Sequence, residues 1–278
     1  MSAPAWAGAV LLALLLAAAL AGDRLGGHAF DAQDAAARLE GPSARHWLGT
    51  DPLGRDVAAR LAEGARISLV VAVVSTLLAV GLGIAYGGVS GWVGGRVDGW
   101  LMRTLDVLWA LPDLLLIVLL TQVFESVLGG TPDLLRRLAA LTLALALVSW
   151  VSVARLVRGL VLQAREEPWV EAARATGASG TRVLLAHVLP NLSGPIVVAT
   201  AFRIPAAILS ESTVSFIGLG IQPPFASWGV LAADGFEGLR SYPHLILAPG
   251  VAVLVTLAAF HLLGEALRES LDPRSRAR

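Results

Sequence analysis

Apolar residues dominate the chain in six long runs, and this pattern predicts helices that cross a membrane. A bilayer core requires about 20 apolar residues per helix. Runs of roughly that length with almost no charge lie at 4–22, 67–95, 107–124, 138–154, 192–214 and 245–264. Most charged residues lie between the runs. We therefore predict an all-α fold, a polytopic membrane protein with six transmembrane helices.

Composition narrows the class of protein further. Of the 278 residues, 56% are hydrophobic and 15% are charged, against about 25% charged in an average soluble domain. A soluble chain that exposed this much apolar surface would aggregate, which excludes a disordered protein and an ordinary cytosolic enzyme. The 21 arginines balance 21 acidic residues, so there is no basic field to attract nucleic acid. Cysteine is absent, which excludes disulfides and cysteine nucleophiles.

The first apolar run has a competing interpretation. Ala19-Leu20-Ala21 resembles a signal-peptidase site. The residues before the run contain no arginine, and the run is longer than the apolar core of a typical signal peptide. We therefore expect a retained helix.

An even number of helices places both termini on one side of the membrane. The segments on the side of the termini carry eleven arginines, and those on the other side carry nine. The segment 155–191 holds five of the eleven. Because arginine is enriched in cytoplasmic loops, we expect both termini to be cytoplasmic.

Small residues and a proline in the apolar runs each allow two interpretations. Gly83, Gly87, Gly91 and Gly95 recur at every fourth position, a spacing that lets helices approach closely in lipid. The seam is either internal, which we favour, or formed with a partner subunit. Pro112 predicts a kink in the third helix, either in a gated path or as a simple bend.

Arg203 and Glu211 are the charged residues of the fifth run. A charge at the bilayer centre costs about 2.5–3.5 kcal/mol on insertion scales, and such residues usually face a bundle interior or an aqueous path. Both are possible pathway residues. The alternative is that each side chain reaches back to the nearer membrane surface.

Motifs for catalysis, metals and nucleotides are missing from the sequence. The five histidines show no metal-ligand spacing, and no catalytic residues can be assembled. The phosphate-binding loop of ATPases requires lysine, and the chain has none. We expect no catalytic residue, no metal and no cofactor in this chain, so any ATP must be bound by partner subunits.

The segment 165–190 is the most informative part of the sequence. Pro168 suits the first turn of a helix, and Glu171, Ala172 and Ala173 are good helix formers that follow it. Gly177 would end this helix in a left-handed turn. A second short helix should follow, with Val183, Leu184 and His187 on one face and Pro190 at its end.

These residues resemble a known family. The pattern of Glu171-Ala172-Ala173, Gly177 and Leu189-Pro190 resembles the EAA loop of binding-protein-dependent ABC importer permeases. His187 departs from the general pattern, although 187–191 is similar to the peptide/nickel branch. Further segments resemble the C-type subunit of that branch: 46–51, 54–56, 64–69, 215–220, 223–224, 227–229 and the tail 271–274.

The resemblance implies the fold of a type I importer permease. It also implies an assembly with other subunits. The chain would pair with a homologous permease, bind two ABC ATPase subunits and receive substrate from an extracytoplasmic binding protein. Residues 1–66 would form the first helix and an extracytoplasmic segment, and 67–278 a core of five helices. The coupling residues would be Glu171, Ala172, Ala173, Gly177, Leu189 and Pro190.

We therefore expect a permease subunit for import of dipeptides or oligopeptides, which is not an enzyme. A permease of the same type that imports nickel or another small solute is the alternative. A self-sufficient channel or secondary transporter is a different class and would transport alone in liposomes. An intramembrane enzyme would require paired catalytic groups at membrane depth, and none is found.

Overall fold

The computed structural model describes residues 3–22, 27–130 and 132–271. Within those ranges it is helical, without β-strands beyond one isolated bridge between Thr50 and Asp56. The helices are α1 (Ala3–Ala21), α2 (Val57–Val93), α3 (Gly95–Trp109), α4 (Asp113–Val127), α5 (Asp133–Arg165), α6 (Pro168–Ala175), α7 (Gly180–Val183), α8 (Leu189–Asn191), α9 (Ser193–Phe216), α10 (Trp228–Glu237) and α11 (His244–Leu271).

Helix length and apolarity support a polytopic membrane protein. In the described part of the chain, α2, α5, α9 and α11 are long and apolar enough to cross a membrane, and the bent pair of α3 and α4 makes a fifth if it is one span. The 19-residue α1 is apolar throughout. The all-α class is confirmed, and six crossings stay a prediction.

Several helix boundaries differ from the hydrophobic runs. The third run does not form one helix, because α3 ends at Trp109 and α4 begins at Asp113 at an angle of 91°. Pro112 lies at this break in extended backbone, since its ring cannot continue the preceding helix. The boundary expected at residue 66 falls inside α2, which runs without a break from Val57.

The glycine series packs α2 against α5 within this chain. A Cβ at Gly87 would overlap the carbonyl oxygen of Ala154, and one at Gly91 would lie 2.8 Å from that of Arg158. A Cβ at Gly83 would overlap the side chain of Val153. The internal interpretation of the stripe is confirmed at these three positions. Gly95 has nothing within 4 Å and takes no part.

A buried charge network ties the segment 27–56 to α10. The Arg60 guanidinium is fully buried and lies 3.1 Å from Asp234 and 3.6 Å from Asp51. Arg55 donates through Nε to Asp51 at 2.6 Å. Burial raises the pKa of the Asp234 carboxyl, and the charges of Arg60 and Arg55 oppose that rise. Breaking such a pair strands a buried charge, so this network fixes the segment over one end of the bundle.

Asp56 performs two structural tasks at the start of α2. Its Oδ1 accepts from the Ala59 amide at 2.8 Å as an N-cap, and its Oδ2 lies 2.8 Å from Nδ1 of His46. The His28 ring stacks on His46 at 4.7 Å. Potential ligand atoms of these three residues lie within 4.8 Å of one another, a grouping that the sequence spacing did not indicate.

Candidate coupling loop and intramembrane cavity

The segment 165–190 begins with the predicted helix. Pro168 occupies the first turn of α6, where its missing N–H costs nothing. The helix ends at Ala175, and Gly177 follows with φ +84°. Its amide donates to the Arg174 carbonyl at 2.9 Å. The helix start and the left-handed turn at Gly177 are confirmed.

One apolar edge anchors this loop to the bundle. Val170 and Val183 are fully buried and pack in one cluster with Val157 and Val161 of α5. The coupling residues proposed from the sequence divide by exposure: Glu171, Ala172, Gly177 and Pro190 are exposed, and Ala173 and Leu189 are half-buried. The loop therefore offers a surface to solvent while its other side is fixed.

The second part of the loop differs from its prediction in two respects. After α7 the chain forms a π-helical turn, Leu184–Val188, and this extra residue per turn rotates the buried face. Val183, Leu184 and Val188 are buried and His187 is exposed, so the prediction that His187 shares one face with Val183 and Leu184 is wrong. Pro190 does not close the helix, because α8 continues to Asn191 and leads through Leu192 into α9.

Arginines tie the loop to the ends of α2 and α5. Arg174 lies over the Trp92 ring, 4.8 Å from its centroid. Arg165 donates through Nη1 to the carbonyls of Gly91 at 3.2 Å and Trp92 at 2.9 Å, satisfying two groups at the C-terminus of α2.

A bidentate ion pair fixes α3 beside them. Arg158 of α5 donates to both Asp98 oxygens, at 2.5 Å and 2.6 Å. Ser90 of α2 donates to the same carboxylate at 2.6 Å. The ends of α2, α3 and α5 therefore form one connected unit beneath the loop.

Arg203 lines a cavity of about 300 Å³ among α2, α3, α4, α5 and α9. Its Nη2 donates to the Ser149 carbonyl and to Ser152 Oγ, both at 2.6 Å. A cavity of this size is at the lower end of the range for small-molecule sites. The side chain therefore faces a space inside the helices.

Glu211 has no exposed surface. Ser68 of α2 and Ser215 donate to its carboxylate at 2.7 Å and 2.8 Å, and Ser68 Oγ also accepts from the Trp228 amide at 3.3 Å. Glu211 thus joins α2, α9 and α10. Among the described residues, Arg203 and Glu211 form no hydrogen bond or ion pair with each other.

Sequence reasoning missed several residues at these sites. Asp113 lines the same cavity as Arg203, and its charge inside an apolar run was the available signal. Trp92 and Arg174 are 82 positions apart, and no local pattern pairs them. The tail residues 272–274 lie outside the described residues.

The fold and these sites define a polytopic membrane component with an anchored, solvent-facing loop. Residues 61–277 match the family described as the binding-protein-dependent transport system inner membrane component. The chain belongs to this family of ABC importer permeases. It is therefore a multi-pass inner-membrane transport subunit and not an enzyme.

The relatives have permease names. The chain is 41% identical over 273 residues to the dipeptide transport system permease protein DppC of Bacillus subtilis, covering 98% of this chain and 82% of that protein. It is 39% identical over 235 residues to the oligopeptide transport system permease protein OppC of the same organism, covering 84% and 74%. OppC of Escherichia coli is 36% identical over 269 residues, covering 96% and 86%.

Proposed function

We propose that this chain forms one half of the path of an ATP-driven importer of dipeptides or oligopeptides. One observation carries the coupling role: the loop 165–190 exposes Glu171 and Gly177 while Val170 and Arg174 fix it to α5 and α2. The names of the relatives support peptides as substrates. They do not favour nickel.

The proposed assembly has four kinds of subunit. This chain pairs with a homologous permease, so that each contributes half of the path. Two ABC ATPase subunits lie beneath the permease pair and bind the ATP, and the loop of this chain docks into a groove on the ATPase. A binding protein delivers substrate at the opposite face. The N- and C-termini are cytoplasmic in this arrangement, which puts the segment 27–56 on the extracytoplasmic side of the membrane.

The loop transmits force through its anchors. When ATP binding closes the ATPase pair, α6 moves with the ATPase surface, and the contacts of Arg174 and Arg165 carry that movement to the ends of α2 and α5. Packed helices move as rigid elements, so the bundle tilts and access alternates.

Each coupling residue has a proposed role. Glu171 makes a polar contact with the ATPase, and the small side chains of Ala172 and Ala173 permit close docking. Gly177 supplies a turn with φ +84°, which L side chains disfavour. Leu189 and Pro190 join the loop to α9. Arg203 and Glu211 stay proposed pathway residues, and the cavity supports this more directly for Arg203.

Co-purification of the ATPase subunits with this chain tests the docking role. We expect capture by the wild-type chain and loss of capture when Glu171 and Gly177 are substituted together. Uptake by the reconstituted complex tests the substrate: ATP-dependent accumulation of a labelled dipeptide is expected. Capture unaffected by the double substitution would refute the coupling role. Uptake of nickel without uptake of peptide would refute the proposal that peptides are the substrates.

A further inference from the structure

The cavity beside Arg203 has a charge pattern unlike that of the surrounding helices. Among the residues that line it, two are charged, with opposite signs: Arg203 and Asp113. Arg203 lies near the middle of the 24-residue α9, where a charge is costly unless it faces a cavity. The apolar character of the helices therefore does not explain this pair.

Arg203 keeps hydrogen-bonding capacity for a ligand. A guanidinium has five N–H donors in a fork that suits a carboxylate. Both recorded bonds of Arg203 use Nη2, to Ser149 and Ser152 of α5. Nε and Nη1 have no protein acceptor in the described part of the chain, and the contacts with α5 hold the side chain at the cavity wall.

Asp113 supplies the opposite charge. It is the first residue of α4, directly after the break at Pro112. Its side chain is exposed, and among the described residues no hydrogen bond or ion pair engages its carboxylate. The helix dipole favours an acidic residue in the first turn of α4, and the unengaged oxygens of this carboxylate can also accept from a ligand at this wall of the cavity.

The rest of the lining suits a peptide backbone. Thr76 and Ser210 contribute hydroxyl groups, with apolar side chains between them, whereas the hydroxyls of Ser149 and Ser152 donate to backbone carbonyls of α5. Hydroxyls donate to and accept from peptide groups, whereas a divalent metal ion would be repelled by the guanidinium. A short peptide at neutral pH has one carboxylate and one ammonium, and it therefore matches this cavity in charge.

We propose that this cavity is a subsite for the charged termini of a short peptide in transit. Arg203 binds the C-terminal carboxylate through Nε and Nη1, and Asp113 attracts the N-terminal ammonium. This inference rests on the proposed peptide importer and assigns the substrate contacts within its path.

A ligand–variant cycle tests the assignment in the assembled permease–ATPase complex without the binding protein, whose own specificity is thereby removed. The probes are alanyl-phenylalanine, its C-terminal amide and its N-acetyl form, measured by equilibrium dialysis up to millimolar concentrations. Loss of a charged hydrogen bond should weaken wild-type binding of either blocked peptide about tenfold or more. Arg203→Gln should weaken the free dipeptide to the level of the amide and leave the amide unchanged.

Asp113→Asn should weaken binding of the free dipeptide to the level of the N-acetyl form and leave binding of the N-acetyl form unchanged. Arg137→Gln is the control, because Arg137 pairs with Asp133 at the start of α5, away from the cavity. This variant should leave the affinities for all three peptides unchanged. Equal weakening of the free and amidated peptides by Arg203→Gln would overturn the assignment. So would a wild-type complex that binds no dipeptide, or one that binds the free and blocked peptides equally well. Dipeptide uptake by the wild-type complex separates the subsite proposal from the importer proposal. Uptake by a complex that binds free and blocked peptides equally refutes the subsite alone, and absence of uptake refutes the peptide importer.

Discussion

Arg174 lies over the indole ring of Trp92, 4.8 Å from its centroid, and this contact joins the exposed loop to the end of α2. Gly180 approaches the same indole, since a Cβ there would lie 3.2 Å from Nε1. The loop therefore approaches one aromatic side chain from both α6 and α7. The position of α6 depends on that side chain.

Trp92→Leu should loosen the loop without unfolding the bundle. A cation–π contact at an exposed site contributes about 0.5–1 kcal/mol, enough to change local opening. We expect faster amide hydrogen exchange in residues 168–183. Trp100→Leu is the matched control, because Trp100 is 70% exposed and contacts Arg103 at 5.9 Å. Equal exchange in the wild type and Trp92→Leu would contradict the anchoring role.

The glycine seam predicts a position-specific loss of stability. Gly87→Ala places a methyl group against the Ala154 carbonyl and should separate α2 from α5, with a loss of about 1–3 kcal/mol as in overpacked cores. Gly81→Ala is in the same helix with nothing within 4 Å. Thermal unfolding in detergent should show a lower midpoint for Gly87→Ala alone, and two equal midpoints would argue against the seam.

The buried charges of the segment 27–56 predict a larger effect. Asp51→Asn removes a buried carboxylate that accepts from Arg55 at 2.6 Å and lies 3.6 Å from Arg60, and breaking a buried pair costs about 3–5 kcal/mol. Asp133→Asn is the control, because that carboxylate is 48% exposed. If Asp51→Asn unfolds at the same temperature as Asp133→Asn, Asp51 does not support the network.

Glu211 distinguishes packing from transport. The contacts of Glu211 with Ser68 and Ser215 indicate that Glu211→Leu will destabilise the chain, since it leaves buried hydroxyls without an acceptor. Glu211→Gln keeps one acceptor oxygen. We expect Glu211→Gln to fold and to lose part of the dipeptide uptake per folded molecule, because Glu211 is a proposed pathway residue, and full uptake by the folded variant would remove Glu211 from the path.

Local chemistry explains what the sequence predicted well. Pro168, Ala172 and Gly177 act within one helix and its turn, so their conformations follow from the preferences of neighbouring residues. The π-turn at Leu184–Val188, in which Val188 is buried and His187 exposed, is not revealed by hydrophobic spacing at 3.6 residues per turn. The third apolar run concealed the 91° bend because Pro112 can kink a helix or end it.

Long-range contacts account for the rest. Arg60 and Asp234 are 174 positions apart, and the sequence identifies neither as the partner of the other. Arg203 could be recognised as a costly charge in an apolar helix, but its cavity depends on side chains from five helices. The candidate coupling residues lie in one short segment, which is why the sequence located them and missed their anchors.

Gly177→Asp tests the coupling claim most directly, by ATP hydrolysis and dipeptide uptake in proteoliposomes containing the complete complex and the binding protein. Gly130→Asp is the matched control, because both glycines have positive φ, +84° and +89°, and a Cβ at either meets nothing within 4 Å. The strain of a left-handed residue, about 1–2 kcal/mol, is therefore similar at both positions. We predict that Gly177→Asp loses most of the binding-protein-stimulated hydrolysis and uptake while Gly130→Asp keeps both. Unchanged hydrolysis and uptake in Gly177→Asp would contradict the account.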